Sequence, residues 1–272
     1  MQATATRLCI SSCAVVSLLV VGSRAGVASP RDVEPPVTAF VVSETAVNDD
    51  LNGDGDTLDA VVHVFTAADG VTVNLGLAAP ITCQGGGFFC GPVQPVVGGT
   101  TVAFVVGEDA QGEIDLNGDE DAFDDVLFVY DARKDRLIET GLAAAHGIGR
   151  DVSSYRFVYP PAVLEDTVVF LVHEPAQGET DLNGDGDAFD AVFFILKAPS
   201  YRVVNLGLAA ATLVGPFGSR NPLFEPTLDR NTLTVVAGED EQGEVDLNGN
   251  GIPSEDVPFA VNVRSGKARL AD

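Results

Sequence analysis

Apolar residues in this chain come in short runs of five to seven, broken by Gly, Asn, Asp and Pro, and the runs recur in a fixed cycle. The first of each cycle is nearly continuous and ends in an acid: Thr38–Glu44, Val102–Glu108, Val168–Glu174 and Leu233–Glu239. A second run follows at Val61–Phe65, Val126–Tyr130, Val192–Leu196 and Val257–Val261. A third spans Val71–Leu77, Arg136–Leu142 and Arg202–Leu208. A fourth contains proline and leads into the next cycle: Val93–Val97, Tyr159–Val163 and Phe224–Leu228. The runs are rich in Val, Phe and Thr and are bounded by turn signals such as Gly98-Gly99 and Glu165-Asp166, which predicts strands. No stretch after the N-terminal segment keeps a 3.6-residue period, so helices should be nearly absent. The continuous runs that precede the acid suit strands buried on both faces, as in the inner sheets of a stack.

Between the first and second run of each cycle lies a polar string. It reads Asp50-Leu-Asn52-Gly-Asp54-Gly-Asp56-Thr-Leu-Asp59, then Asp115-Leu-Asn117-Gly-Asp119-Glu-Asp121-Ala-Phe-Asp124, then Asp181-Leu-Asn183-Gly-Asp185-Gly-Asp187-Ala-Phe-Asp190. The fourth is degraded: Asp246-Leu-Asn248-Gly-Asn250-Gly-Ile-Pro-Ser-Glu255. Their first acids are spaced 65, 66 and 65 residues apart. A fixed period of this length marks a repeat architecture. Oxygen side chains at positions 1, 3, 5, 7 and 10, with Gly where the loop turns, are the donors a hard cation takes, and alternate residues of a tight loop can turn inward around one centre. The leucine at position 2 (Leu51, Leu116, Leu182 and Leu247) is expected to point away and fix the loop. The bidentate acid an EF-hand carries at position 12 is replaced by Val61, Val126, Val192 and Val257, so these are loops between two strands. Glu44, Glu108, Glu174 and Glu239 are either a further ligand or solvated strand-end acids.

Four strands per repeat, arranged around a centre, describe propeller blades. The strand "VAFVVGE", the acidic string and the strand-turn-strand "VLFVYDARKDRLIETGL" resemble the tandem blades of TolB-like and FG-GAP-type β-propellers. The resemblance covers nearly all of residues 37–270 and implies an all-β, propeller-like assembly of about four blades, each with a DxNxDG-like calcium loop between strands. The strings carry one extra residue before the last acid, so the ligand scheme of that family does not transfer residue by residue. A stacked β-solenoid is the alternative. The repeats span about 37–91, 92–156, 157–221 and 222–272 of a domain at 29–272. No proline-containing strand precedes the first repeat, so closure with four blades requires the terminal segments to complete one another.

The chain carries 40 acids against 15 bases, a formal charge of −25. That excludes nucleic acid and anionic membranes as partners, which need basic patches. About half of the acids lie in the strings and the residues leading into them, so the charge marks local sites. Residues 1–28 read as a secretory signal: Arg7, then an apolar stretch from Leu8 to Gly22, then small residues up to Ala28. A secreted protein, extracellular or periplasmic, is expected, with no membrane insertion of the mature chain. Cys83 and Cys90 then remain, bracketing a Gly-rich loop, and are expected to form one local disulfide.

Ca²⁺ fits the strings better than Mg²⁺, which keeps water and takes few protein ligands, and better than Zn²⁺, which wants His or Cys. The candidate ligands are Asp50, Asn52, Asp54, Asp56 and Asp59; Asp115, Asn117, Asp119, Asp121 and Asp124; Asp181, Asn183, Asp185, Asp187 and Asp190; and Asp246, Asn248, Asn250 and Glu255. Loop two has Glu120 in place of a turn glycine, and loop four loses three carboxylates at matched positions and regains one. The three histidines (His63, His146 and His173) lie singly in or beside strands, and Ser153-Ser154 lacks a nucleophile signature. The expected function is therefore a secreted calcium-binding repeat protein with a structural or adhesion-like role toward an unknown protein or glycan. The alternative is a hydrolase or lyase on a propeller scaffold.

Overall fold

Each apolar run becomes one strand of an antiparallel meander. The computed structural model describes residues 36–84, 89–144, 146–148, 156–214 and 220–271. The proposed signal segment and Ser153-Ser154 lie outside them, as does the side chain of His146. Sheet one comprises β1 (Val37–Ser43), β2 (Ala60–Thr66) and β3 (Val71–Ala78). A hairpin follows, β4 (Ile81–Gln84) and β5 (Phe89–Pro92), and pairs Cys83 opposite Cys90 in backbone register. Sheet two is β6 (Val96–Gly98), β7 (Thr101–Gly107), β8 (Asp125–Asp131) and β9 (Arg136–Ala143). After β10 (His146–Ile148) and β11 (Arg156–Val158), sheet three comprises β12 (Ala162–Leu164), β13 (Thr167–His173), β14 (Ala191–Lys197) and β15 (Arg202–Ala209). After β16 (Thr212–Val214) and β17 (Arg220–Pro222), sheet four comprises β18 (Thr227–Asp229), β19 (Thr232–Gly238), β20 (Asp256–Asn262) and β21 (Lys267–Leu270).

Pro95, Pro161 and Pro226 each stand immediately before the short first strand of a sheet. Proline cannot donate to a ladder, so pairing starts just after it. Sheet one has no such strand among the described residues, as the sequence ahead of it suggests. The hairpin β4–β5 and the separate sheet ordered β11-β10-β17-β16 carry no clear alternating pattern and escape the sequence reading.

The four sheets pack face to face in chain order, which makes the assembly propeller-like. Three apolar cores fill the gaps between them. Val62, Val64, Phe104, Val106 and Phe128 join sheets one and two. Ala103, Leu127, Val129, Phe170 and Phe194 join sheets two and three. Leu171, Phe193, Ile195, Leu233, Val235 and Phe259 join sheets three and four. No core cluster joins sheet four to sheet one among the described residues. Sheets two and three thus bury both faces, and every residue of β7, β8 and β13 is buried. This is the physical reason their sequences lack alternation. In β19, with one face against the stack, alternation returns as exposed Thr232, buried Leu233, half-buried Thr234 and buried Val235.

Cross-strand aromatic pairs repeat at the same register. Phe104 and Phe128 stack with ring centroids 6.1 Å apart, and Phe170 and Phe194 lie 5.8 Å apart. In sheet one the same place holds Phe40 and His63, at 5.9 Å, and the imidazole Nδ1 lies 3.0 Å from the Val61 carbonyl. At the turn end of the strands, Tyr201 ties sheet three to sheet two. Its hydroxyl donates to Asp131, it accepts from Lys134 Nζ at 3.1 Å, and the Lys134 and Arg136 cations lie 4.8 and 4.7 Å from its ring centroid. That contact and the Arg133 and Lys134 amides outweigh burial and hold the Asp131 carboxyl below its ordinary range.

Candidate metal sites at the sheet seams

Each acidic string joins the two long strands of its sheet and is folded by its own side chains. Asn52 Oδ1 accepts from the Asp54 amide at 3.3 Å, Asp54 Oδ1 from Asp56 at 3.0 Å, and Asp56 Oδ1 from Leu58 at 2.7 Å. Asx side chains that bond the amide two residues on are what makes such a segment turn. Asp50 closes the loop from the other side, accepting from the Gly53 and Gly55 amides at 2.6 and 3.1 Å. Loops two and three repeat this network with Asp115, Asn117, Asp119 and Asp121 and with Asp181, Asn183, Asp185 and Asp187. Gly55 and Gly186 take φ of +103° and +104°, and Glu120 takes φ +80° at the matched position. A non-glycine side chain in left-handed backbone costs roughly 1–2 kcal/mol.

The strand-end glutamates are not solvated. Glu44, Glu108, Glu174 and Glu239 are each 0% exposed. Glu174 Oε1 accepts from the Leu182 and Asn183 amides at 2.6 and 3.4 Å, and Oε2 from the Asp190 amide at 2.9 Å. Glu108 does the same with Leu116, Asn117 and Asp124, and Glu44 with Leu51, Asn52 and Asp59. The buried carboxylate is therefore the inner wall of the loop and draws both of its ends together.

Three carboxylates converge at each of the first three loops. Glu44, Asp56 and Asp59 offer oxygens all within 4.8 Å of one another, as do Glu108, Asp121 and Asp124, and Glu174, Asp187 and Asp190. Positions 7 and 10 of the string thus meet the strand-end glutamate. Position 5 stands beside them: Asp54 and Asp119 make side-chain contacts with Asp59 and Asp124. Position 1 is placed differently, with Asp50 on the turn amides; position 3 turns its amide toward the next sheet, and in loops two and three Asn117 and Asn183 also donate to Asp124 and Asp190 at 3.3 and 3.0 Å. Among the described residues no such triad forms at loop four. There Ile252 occupies position 7, and the Asn248 and Asn250 amides both donate to the Glu255 carboxylate, the first at 3.2 Å. Loop four thus lacks the position-7 carboxylate that completes the triad in the other three.

The convergence has an electrostatic signature. Burial pushes Asp59 up to about 7, and contact with Asp54 adds to it. Burial pushes Asp124 up to about 8, and the charges of Asp119 and Asp121 add to it. For Asp190 the value is about 9, with burial first and then contact with Glu241 from the next sheet. No Lys, Arg or His occurs between Glu44 and Asp59, Glu108 and Asp124, or Glu174 and Asp190. Crowded carboxylates with no cation in the loop hold a proton or bind a metal.

Each of the first three loops also rests on the next sheet. Asn52 Nδ2 donates to the Ala110 carbonyl at 2.9 Å, Asn117 Nδ2 to Ala176 at 2.7 Å, and Asn183 Nδ2 to Glu241 at 2.9 Å. Gly112 lies so close that a Cβ there would meet the Asp54 Cβ at 3.1 Å. The acceptors belong to short helical turns, Asp109–Gln111, Pro175–Gln177 and Asp240–Gln242. From these turns Gln111 reaches back to the preceding sheet, accepting from the Ala78 amide at 2.8 Å and donating to the Gly76 carbonyl at 3.2 Å. Gln177 repeats both contacts with Ala143 and Gly141, and Gln242 accepts from the Ala209 amide at 3.0 Å. Reading the sequence for ligands passes over these glutamines, although a Gln-Gly pair recurs three residues after the strand-end Glu in the last three repeats. The first repeat has Val47 there, and no sheet precedes it among the described residues.

No protein-family model matches the chain, and no curated protein matches it. Two solved structures are similar in part. One is the AtxE2 isopeptidase, as a variant with Astexin3-dC4 bound, at 12% identity and a TM-score of 0.33 over 79% of this chain and 25% of the isopeptidase. The other is TolB from Acinetobacter baumannii, at 10% identity and a TM-score of 0.30 over 87% of this chain and 43% of TolB. The chain spans less than half the length of either. The sheets themselves establish the class: all-β, repeated and propeller-like.

Proposed function

We propose that this is a secreted calcium-binding repeat protein in which Ca²⁺ stiffens the inter-strand loops and the seams between sheets, giving a rigid scaffold for an adhesion-like role toward a protein or glycan. The observation that carries this reading is the threefold recurrence of a buried glutamate with two string acids inside 4.8 Å. Such a set offers a hard cation several carboxylate oxygens and no nitrogen or sulfur, which favours Ca²⁺ over Zn²⁺. Many carboxylates in a flexible loop favour Ca²⁺ over Mg²⁺. Extracellular calcium is millimolar, so sites with dissociation constants of roughly 10⁻⁴–10⁻³ M are filled outside the cell.

The ranking of loops is tested by calorimetry. Asp185→Ala should weaken calcium binding clearly, because Asp185 stands beside the third triad, and Asn250→Ala should leave it nearly unchanged. The reverse order sinks the ranking. Cys83 and Cys90 are proposed to form the disulfide: directly opposed antiparallel residues have Cα atoms roughly 4.5–5.5 Å apart, inside the bridging window. The intact mass of unreduced protein should fall two hydrogens below that of the reduced protein, and equal masses exclude the bridge.

A further inference from the structure

Each of the first three strings carries two large apolar residues with opposite fates. The position-2 leucines Leu116 and Leu182 pack against the inter-sheet cores. The position-9 residues do not: Leu58 is 72% exposed, Phe123 65% and Phe189 78%. Their backbones are pinned, each amide donating to the position-7 aspartate at 2.7, 3.0 and 3.1 Å. The loop thus holds a hydrophobic side chain in water at the same place on three consecutive sheets, and neither core packing nor cation binding requires it. Single exposed apolar residues are ordinary, but a regular row of them marks an interaction surface.

Charge selects the occupant. Every member of the row is flanked by acids of its own loop, on a chain of formal charge −25. A second copy of the chain and an anionic lipid surface both meet like charge there. We propose that the row Leu58, Phe123 and Phe189 is a docking surface for an extended cationic polypeptide segment bearing apolar side chains. Packed sheets lie about 10 Å apart, and a polyproline-II chain rises about 3.1 Å per residue with three residues per turn, so apolar residues at every third position share one face and match the row, with Lys or Arg between them beside the acids. The mode joins hydrophobic anchors to electrostatic steering. Three bound Ca²⁺ would take the formal charge from −25 to −19, so attraction for a cationic segment persists with the metal sites filled, and failure here with a calcium-dependent melting shift intact leaves the metal sites standing.

The test uses the full chain in millimolar calcium and two synthetic twelve-residue peptides of equal charge, one of lysine and leucine with leucine at every third position, the other with serine replacing leucine. By fluorescence anisotropy the protein should bind the leucine peptide at least tenfold more tightly than the serine peptide. The triple variant Leu58→Ser, Phe123→Ser, Phe189→Ser, with an unchanged melting temperature, should bind both peptides equally. Equal binding of both peptides by the unmodified protein overturns the proposal, as does a triple variant that keeps the preference. Calcium-dependent sedimentation of the unmodified protein with phosphatidylserine vesicles, lost in the triple variant, assigns the row to a lipid surface and also overturns it.

Discussion

Glu174→Ala should lower the unfolding free energy by about 3–5 kcal/mol, among the largest single-residue effects in the chain. The side chain is 0% exposed and accepts three loop amides, those of Leu182, Asn183 and Asp190. Hydrogen bonds to an ionised acceptor are worth about 1.5–3 kcal/mol each, and truncation also leaves a void behind the loop. Glu174→Gln keeps the volume and one carbonyl acceptor but turns an NH₂ toward an amide that needs an acceptor, so its loss should be about half. Urea midpoints in EDTA isolate this effect from any ion. An Ala variant within about 1 kcal/mol of the parent shows that the loop is not held by this carboxylate.

Calcium should raise the melting temperature by an amount on the order of 20 °C. At about 100-fold excess over the dissociation constant each site adds ~2.7 kcal/mol, so three add about 8 kcal/mol, and a domain of this size gains roughly 2–4 °C per kcal/mol. EDTA should reverse the shift. The metal-free protein should also show an unusual pH profile. Asp59, Asp124 and Asp190 have folded-state values raised to about 7, 8 and 9 by burial, against ordinary values near 3.8. Groups raised in the folded state favour folding fully below their unfolded values, and that contribution is lost as pH rises through the folded ones. The EDTA melting temperature should therefore fall between about pH 4 and pH 9, and saturating Ca²⁺, replacing the proton, should flatten that fall. A melting temperature indifferent to Ca²⁺ at pH 7.5 refutes the assignment.

The strands were legible because burial on both faces writes itself as unbroken apolar runs, as in Val102–Val106 and Val168–Val172. The loop between them was legible because turning a chain with its own side chains demands Asx and Gly at fixed places. The use of each oxygen was not. Asp50 and Asp56 look equivalent in a string of alternating acids, yet the first accepts from the Gly53 and Gly55 amides and the second joins the triad. That distinction depends on which way the loop leans against the next sheet, a contact with residues about 58 positions away, such as Ala110. The burial of Glu44 was hidden for the same reason, since a strand-end acid reads equally as a ligand or as solvated until the loop is known to fold over it. The hairpin β4–β5 follows from pairing alone and leaves no hydrophobic period to find.

The seams made by Gln111, Gln177 and Gln242 have a thermodynamic consequence. Among the described residues three apolar cores join the four sheets in chain order, so free energy accumulates largely as a nearest-neighbour sum, to which the sheet ordered β11-β10-β17-β16 adds a further link. Cooperativity then resides in the junctions and is not a property of any single sheet. Weakening an outer junction sheds a single unit, whereas weakening the middle one divides the array into halves that the β10–β17 pairing still links.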